Sequence, residues 1–276
     1  MPELPEVEAI AEALRPLVEG EKIVRGRVIH AVAVQPSPGE QKRGAAERFV
    51  RRVRGEMVRV VGRRGKYLIL ELEHGILVLH FRFDGQLIWF DSRKISGHVD
   101  VAFETRRGTL GYVDPRHLGR AQWARSREDV PGIRGLGVEP LSREFTTVRL
   151  AELLKSSRQP LKLFLLDQRK VAGIGNIYSS ESMWRARLDP RRRTHRLSPE
   201  ETQRLYKSIV DVLHRALECC RKPAPNFRDP TWWFRGLERI LRVYDREGEK
   251  CRGCGDKVRR IEQGGRSTYF CAQCQK

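Results

Sequence analysis

Two pairs of cysteines near the end of the chain constrain its folding more than any other feature. They are Cys251-x-x-Cys254 and Cys271-x-x-Cys274, with sixteen residues between them. Each pair is a tight turn that offers two thiolates to one ion, and four thiolates complete a tetrahedron. The spacing reads as a zinc ribbon, with one structural Zn2+ as the expected cofactor and Cys251, Cys254, Cys271 and Cys274 as its ligands. Between the pairs, Lys257–Ile261 and Ser267–Phe270 read as the two strands of a hairpin. So short a segment has little apolar core, and the metal supplies its folding energy. Four thiolates leave no open coordination position, so the chemistry must lie elsewhere. Cys219 and Cys220 are adjacent on a helical stretch, cannot face one site together, and read as ordinary helix positions.

The remaining residues divide by texture. Short β-rich runs occupy the first half: Arg59–Val61, Tyr67–Leu72, Ile76–Phe81 and Gln86–Phe90, punctuated by turn signals at Glu73-His74-Gly75 and Asp84-Gly85. Strands this closely spaced predict a sandwich or barrel. One helix precedes them, with Val7, Ile10, Ala11, Leu14 and Leu17 on one face and Pro5 near its first position. From about residue 145 the pattern turns helical. Ser198-Pro199-Glu200-Glu201 is a capping box, followed by an apolar face of Leu205, Ile209, Val212, Leu213, Ala216 and Leu217. The expected fold is α+β and multidomain: an N-terminal β-sandwich with an N-terminal helix over 1–135, a helical domain over 136–236, and a zinc ribbon over 237–276.

Charge points to the partner. The chain carries 54 Lys and Arg against 35 Asp and Glu, a net charge of +19. Such an excess costs self-repulsion, which a polyanion relieves, and nucleic acid is the leading candidate. Residues 155–196 alone hold 11 basic and 3 acidic side chains, the density of a phosphate-tracking surface. The longest apolar runs, Ile76–Leu79 and Leu163–Leu166, fall far short of the roughly 20 residues of a membrane span. The start of the chain is acidic and has no apolar signal core. No membrane partner is expected, and the chain reads as cytosolic.

Chemistry is concentrated at the N-terminus. Removal of methionine before Pro2 leaves a secondary amine, and an α-amino group titrates near about 8. A helix N-terminus beside it disfavours the cation. The neutral amine can attack a sugar C1′ and form an iminium. Glu3 is placed to shuttle protons, with Glu6 one turn further on. Proline and acidic residues at a helix start are also ordinary capping chemistry, so both readings stand on these residues alone.

A set of motifs separates them. Pro2-Glu3-Leu4-Pro5-Glu6-Val7-Glu8 resembles the N-terminal signature of the formamidopyrimidine-DNA glycosylase / endonuclease VIII family. Leu166-Asp167-Gln168-x-x-Val171-Ala172-Gly173-Ile174-Gly175-Asn176-Ile177-Tyr178-x-x-Glu181 resembles its helix–two-turn–helix element, and Leu136-Gly137-x-Glu139-Pro140-Leu141 its interdomain link. The segment from Val243-Tyr244 to Cys274-Gln275 resembles its zinc finger. The motifs run from residue 2 to residue 275 in the family's order.

The resemblance implies a bifunctional DNA glycosylase and AP lyase of base-excision repair. Its partner would be double-stranded DNA with damaged bases or abasic sites. It also implies a monomer in the bacterial cytoplasm, associated with the nucleoid. Pro2 corresponds to the Schiff-base nucleophile and Glu3 to the proton donor. Lys66 corresponds to the β-hairpin lysine that assists the lyase step, and Arg266 to the finger arginine that grips phosphates flanking the lesion. His98, Arg116 and Arg158 fall at positions resembling DNA contacts, and Asn176 matches the turn asparagine. Read singly, Lys66 and Arg266 are surface cations, and a structural hydrogen bond is the competing role for His98.

Three places depart from the family pattern. Phe83 stands where many relatives have methionine, and Leu118 where many have phenylalanine. An apolar wedge for the gap left by an extruded base survives at both, though each side chain also reads as core. The loop that caps a flipped oxidised purine is replaced by the short aromatic run Asn226–Gly236. Within it, Trp232 and Trp233 either stack on DNA or pack the finger against the helical domain. Two other outcomes compete: an endonuclease VIII-like preference for oxidised pyrimidines or single strands, and a non-catalytic damaged-DNA binder.

Overall fold

The computed structural model describes residues 2–92, 94–95, 97–223, 225–229 and 231–276. Residue 1, whose removal the sequence reading requires, lies outside them. The chain forms two compact units. The first takes residues up to Arg134 together with Cys220–Arg235, and the second takes Gly135–Cys219 and Gly236–Lys276.

The first unit opens with α1 (Leu4–Val18). Its predicted apolar face is observed: Val7, Ile10, Ala11 and Leu14 are buried, while Leu17 is only half-buried and Val18 takes its place in the core. After β1 (Arg25–Val28), β2 (Val34–Gln35) and α2 (Ala45–Val53) come β3 (Val58–Arg64), β4 (Tyr67–Leu72), β5 (Ile76–His80), β6 (Gln86–Phe90), β7 (Val101–Glu104), β8 (Thr109–Val113) and β9 (Arg120–Ala124). They form a four-stranded sheet in the order β1-β7-β8-β6 and a five-stranded sheet in the order β2-β9-β5-β4-β3. Every neighbouring pair is antiparallel except β2 and β9. The four predicted strand runs correspond to β3 to β6. The short α3 (Pro131–Arg134) closes a local core in which Ile133 and Val130 pack with Ile69, Ile76 and Val78.

Residues 220–235 fold with this first unit. The Arg221 guanidinium is bidentate on Glu12 of α1, and the backbone N–H of Trp89 donates to the Phe227 carbonyl. Trp232 and Trp233 are 2% and 8% exposed and belong to this unit, with the Trp232 and Phe227 rings in edge contact. Both rings are too buried to stack on DNA. Two large rings bury more apolar surface in an existing core than on an exposed face.

The second unit contains α4 (Thr147–Lys155), α5 (Leu161–Leu166), α6 (Asn176–Arg185), α7 (Pro199–Arg221, all but its last two residues), α8 (Leu237–Ile240), and the hairpin β10 (Arg259–Gln263) and β11 (Arg266–Phe270). The predicted capping box starts α7: the Glu201 N–H donates to Ser198 Oγ at 3.2 Å, and the Ser198 N–H to Glu201 Oε2 at 2.9 Å. Leu205, Ile209, Leu213, Ala216 and Leu217 are buried as the periodicity requires, and Val212 is half-buried at the edge of that face. Among the described residues no helix is long and apolar enough to cross a membrane.

Candidate functional site

The first turn of α1 buries both residues singled out at the N-terminus. Pro2 is buried and Glu3 is 1% exposed. Glu3 is the N-cap of the helix, in a reciprocal capping box: its carboxylate accepts from the Glu6 backbone, and its own N–H donates to Glu6 Oε2 at 2.7 Å. Glu3 therefore caps the helix whatever else it does. The box fixes the backbone beside the Pro2 nitrogen and leaves an acidic group next to it.

Two hydrogen bonds and one ion pair set the direction of α1 against β3. The carboxylate of Glu19, at the far end, accepts from the Val61 N–H at 2.7 Å, and Arg15 Nε donates to the Val61 carbonyl at 3.0 Å. Glu8, nearer the start, meets Arg63 at 2.6 Å. The beginning of the helix thus lies toward the end of β3, where the two-residue turn Gly65-Lys66 leads into β4. Gly65 has φ +57°, which a side chain would strain. Lys66 is only 7% exposed, so the surface-cation reading fails for it. Its charge bears on His80, which burial first, and then Arg82 and Lys66, pull down to about 3. That ring stays neutral at physiological pH, and its Nδ1 accepts from the Arg82 N–H at 3.1 Å.

Two loops leave the same end of neighbouring strands, because Gln86 of β6 is paired with Val113 of β8. The loop before β6 carries Phe83 and the loop after β8 carries Arg116 and Leu118. Phe83 is 50% and Leu118 43% exposed, so neither is a core residue. Arg116 is also exposed; it pairs with Asp84, and its guanidinium lies 5.1 Å over the Phe83 ring. The second loop is folded by the buried Asp114, whose carboxylate accepts from the N–H groups of Arg116, Leu118 and Gly119. A Cβ on Gly119 would run into the Tyr112 hydroxyl and the His80 carbonyl, so only glycine fits there. His98 Nε2 lies 3.4 Å from the buried Asp100 carboxylate, the structural contact its alternative reading anticipated.

In the second unit the stretch before α6 is held by Gln168. Its Nε2 donates to the Leu166 and Ile174 carbonyls, and its Oε1 accepts from the Gly173 N–H. Gly173 has φ +88°, a conformation that favours glycine. Asn176 opens α6, and its Nδ2 donates to the Ser267 carbonyl at 2.9 Å. That bond brings the start of the helix beside Arg266, which is exposed at the head of β11. Arg158 is exposed too, in the stretch between α4 and α5.

Two anchors in this unit were not given a role from sequence. Lys162 is fully buried, with Nζ on the Asn176 carbonyl and the Ser179 and Ser180 hydroxyls. Glu181 is 4% exposed and accepts from the N–H groups of Arg242, Val243 and Tyr244 at 2.8–2.9 Å, tying α6 to the start of the finger. Burial pushes its carboxyl up even though those three bonds oppose the shift. A charged residue inside a helix pattern reads as solvated, so sequence alone gave no sign of either role.

The four cysteines converge. Their sulfurs all lie within 4.8 Å of one another, with Cys251 and Cys274 at 3.8 Å and Cys254 and Cys271 at 3.5 Å. Tetrahedral Zn–S bonds of about 2.3 Å set sulfurs roughly 3.8 Å apart, so the cluster fits one zinc ion. Burial pushes the Cys251 thiol up, but N–H groups of Gly253 and Trp184 aimed at its sulfur outweigh that and bring it to about 6. The finger's small core is Val243, Val258 and Tyr269 with Cys251 and Cys271 themselves.

With this geometry in hand, comparison with known proteins is decisive. The formamidopyrimidine-DNA glycosylase N-terminal domain model matches residues 1–121, its H2TH domain model residues 136–224, and the zinc finger found in FPG and IleRS residues 248–276. The chain belongs to the formamidopyrimidine-DNA glycosylase family. It is 36% identical to the formamidopyrimidine-DNA glycosylase of Pelotomaculum thermopropionicum, over all of this chain and 99% of that one. It is 35% identical to that of Bacillus licheniformis over the whole of both. Among solved structures, the Lactococcus lactis Fpg in complex with DNA containing N7-benzyl-Fapy-dG superposes with a TM-score of 0.88 at 29% identity, covering both chains fully. The same protein's complex with abasic-site DNA gives 0.88 at 28% identity over 99% of both. Family membership carries the α+β architecture and the structural zinc ion with it.

Proposed function

We propose that this chain is a DNA glycosylase and AP lyase of base-excision repair that acts on duplex DNA carrying damaged bases or abasic sites. The observation that carries this reading is a buried Pro2 fixed at the first turn of α1 beside the Glu3–Glu6 capping box, in a chain that matches its glycosylase relatives from end to end.

The Pro2 nitrogen, once residue 1 is removed, gives its lone pair to C1′ of an extruded nucleotide. Glu3 supplies the proton that opens the sugar ring, the glycosidic bond breaks, and the base leaves. The resulting iminium acidifies C2′; loss of that proton expels the 3′ phosphate, and a second elimination expels the 5′ phosphate. Lys66 assists these eliminations, Arg266 grips the flanking phosphates, and Asn176, Arg158 and His98 contact the backbone. Phe83 and Leu118 fill the gap in the stack while Arg116 faces the orphaned base. We assign these roles to modules 1–135, 136–236 and 237–276 of a cytoplasmic, nucleoid-associated monomer, with residues 220–235 of the second module folded into the first.

The relatives' name makes formamidopyrimidine the first base to test. Duplexes carrying formamidopyrimidine, 8-oxoguanine, an oxidised pyrimidine or an abasic site should all be assayed for base release and strand cleavage. Cleavage at the abasic site with release of at least one damaged base is expected. Tight binding to every duplex with no cleavage of any would overturn the proposal.

A further inference from the structure

Outside the finger, the described residues hold one other group with metal-ligand geometry: His30, His98, Asp100 and His117. Their ligand atoms lie within 4.8 Å of one another. All three rings converge on a single atom, Asp100 Oδ1, at 3.0 Å from His30 Nδ1, 3.4 Å from His98 Nε2 and 2.9 Å from His117 Nδ1. The rings also touch one another, with centroids 4.9–5.5 Å apart. Asp100 is fully buried, whereas the three histidines are a third to two-fifths exposed, so the group opens to solvent on one side.

Hydrogen bonding alone accounts poorly for this arrangement. The other Asp100 oxygen is already taken by the Asp114 N–H, and a carboxylate oxygen has about two lone-pair directions for three approaching rings. His117 Nδ1 is buried and makes no hydrogen bond of acceptable geometry.

A divalent cation satisfies all four groups at once. Tetrahedral bonds of about 2.05 Å set ligands roughly 3.3 Å apart, which matches the observed separations from Asp100. Three imidazoles and one carboxylate suit zinc and the ions that resemble it, cobalt and nickel. The backbone is committed to the arrangement as well: His117 sits at φ +52°, a conformation that strains a non-glycine residue, and the three N–H bonds to Asp114 hold the loop there.

We propose that His30, His98, Asp100 and His117 form a second transition-metal site, distinct from the four-cysteine site. An ion there links the stretch after β1, the approach to β7 and the loop after β8. It would fix the loop that presents Arg116 and Leu118 and engage His98.

Metal content of the full-length chain, equilibrated with excess Zn2+ and freed of loose ion, tests this. Two zinc ions per chain are expected, falling to one in His117→Arg and in His30→Gln, with the four-cysteine ion retained as the control for folding. Co2+ added to the one-zinc protein should give visible d–d bands without the thiolate-to-cobalt charge-transfer band that marks a cysteine site. One ion in the unmutated chain overturns the proposal. So does a second ion that survives both substitutions, or one that shows thiolate charge transfer.

Discussion

The zinc ribbon and the histidine cluster of the first unit bring four ligands together in opposite ways. In the ribbon the ligands fall in two short turns between residues 251 and 274, and two of them are themselves part of a core of five residues. The cluster draws its ligands from residues 30, 98, 100 and 117, across three separate segments. Two sheets that already bury Leu68, Leu77, Phe103 and Tyr112 hold those segments in place. In the first case the metal makes the fold, and in the second the fold makes the metal site. Only the first arrangement leaves a spacing to read in the sequence.

That contrast is open to experiment, and the largest effect should come from removing the finger's ion. Chelation, or Cys254→Ser, forfeits a folding contribution on the order of 10 kcal/mol. Residues 248–276 should become protease-sensitive while the sheets of the first unit stay intact. Simultaneous melting of both regions would break the comparison.

The next effect concerns how the finger is tied to α6. Glu181→Ala leaves three N–H groups, one buried and two partly buried, without an acceptor, and a loss of about 3 kcal/mol is expected from denaturant unfolding of the second unit. A neutral result would mean that the bonds to Arg242, Val243 and Tyr244 are replaced by water. In the first unit, Gly119→Ala forces a Cβ into the Tyr112 hydroxyl and the His80 carbonyl, at a cost of about 2 kcal/mol in thermal unfolding. Because Gly119 closes the loop of Leu118 and His117, the same variant should weaken any ion held by the histidines and leave the cysteine site unchanged.

The smallest effect belongs to the cap of α7. Burial raises the Glu201 carboxyl, but its bonds to Arg192 and the Ser198 N–H outweigh that and hold it below the ordinary 4.5. The stabilisation is therefore complete above pH 4.5 and lost as the pH falls through the lowered value. Glu201→Gln should cost at most about 1 kcal/mol near neutrality and nothing in acid, a difference that urea titrations at the two pH values would show.

Local pattern carried most of what the sequence disclosed. The N-terminal helix, strands β3 to β6, the cap of α7 and the cysteine ligands each follow from spacing over fewer than about 25 residues. What escaped was decided by tertiary contact. Lys66 reads as a surface cation, yet its two-residue turn is buried. Trp232 and Trp233 lie next to the finger in sequence but fold with α1 and Phe227 instead. Phe83 and Leu118 have the composition of core residues and are exposed, because each sits on a loop rather than a strand face. Lys162 is hidden by the three oxygens that accept from it. Asp100 gave no signal because two of its three histidine neighbours, His30 and His117, are distant in the chain.

The central claim is that the amine of Pro2 is the nucleophile. Borohydride trapping on abasic duplex DNA tests it directly, comparing the processed chain with one that retains residue 1. A covalent protein–DNA adduct that maps to Pro2 and disappears when residue 1 is kept is expected, while binding to the duplex persists. An adduct of equal yield with residue 1 retained, or one that maps to Lys66, would contradict it.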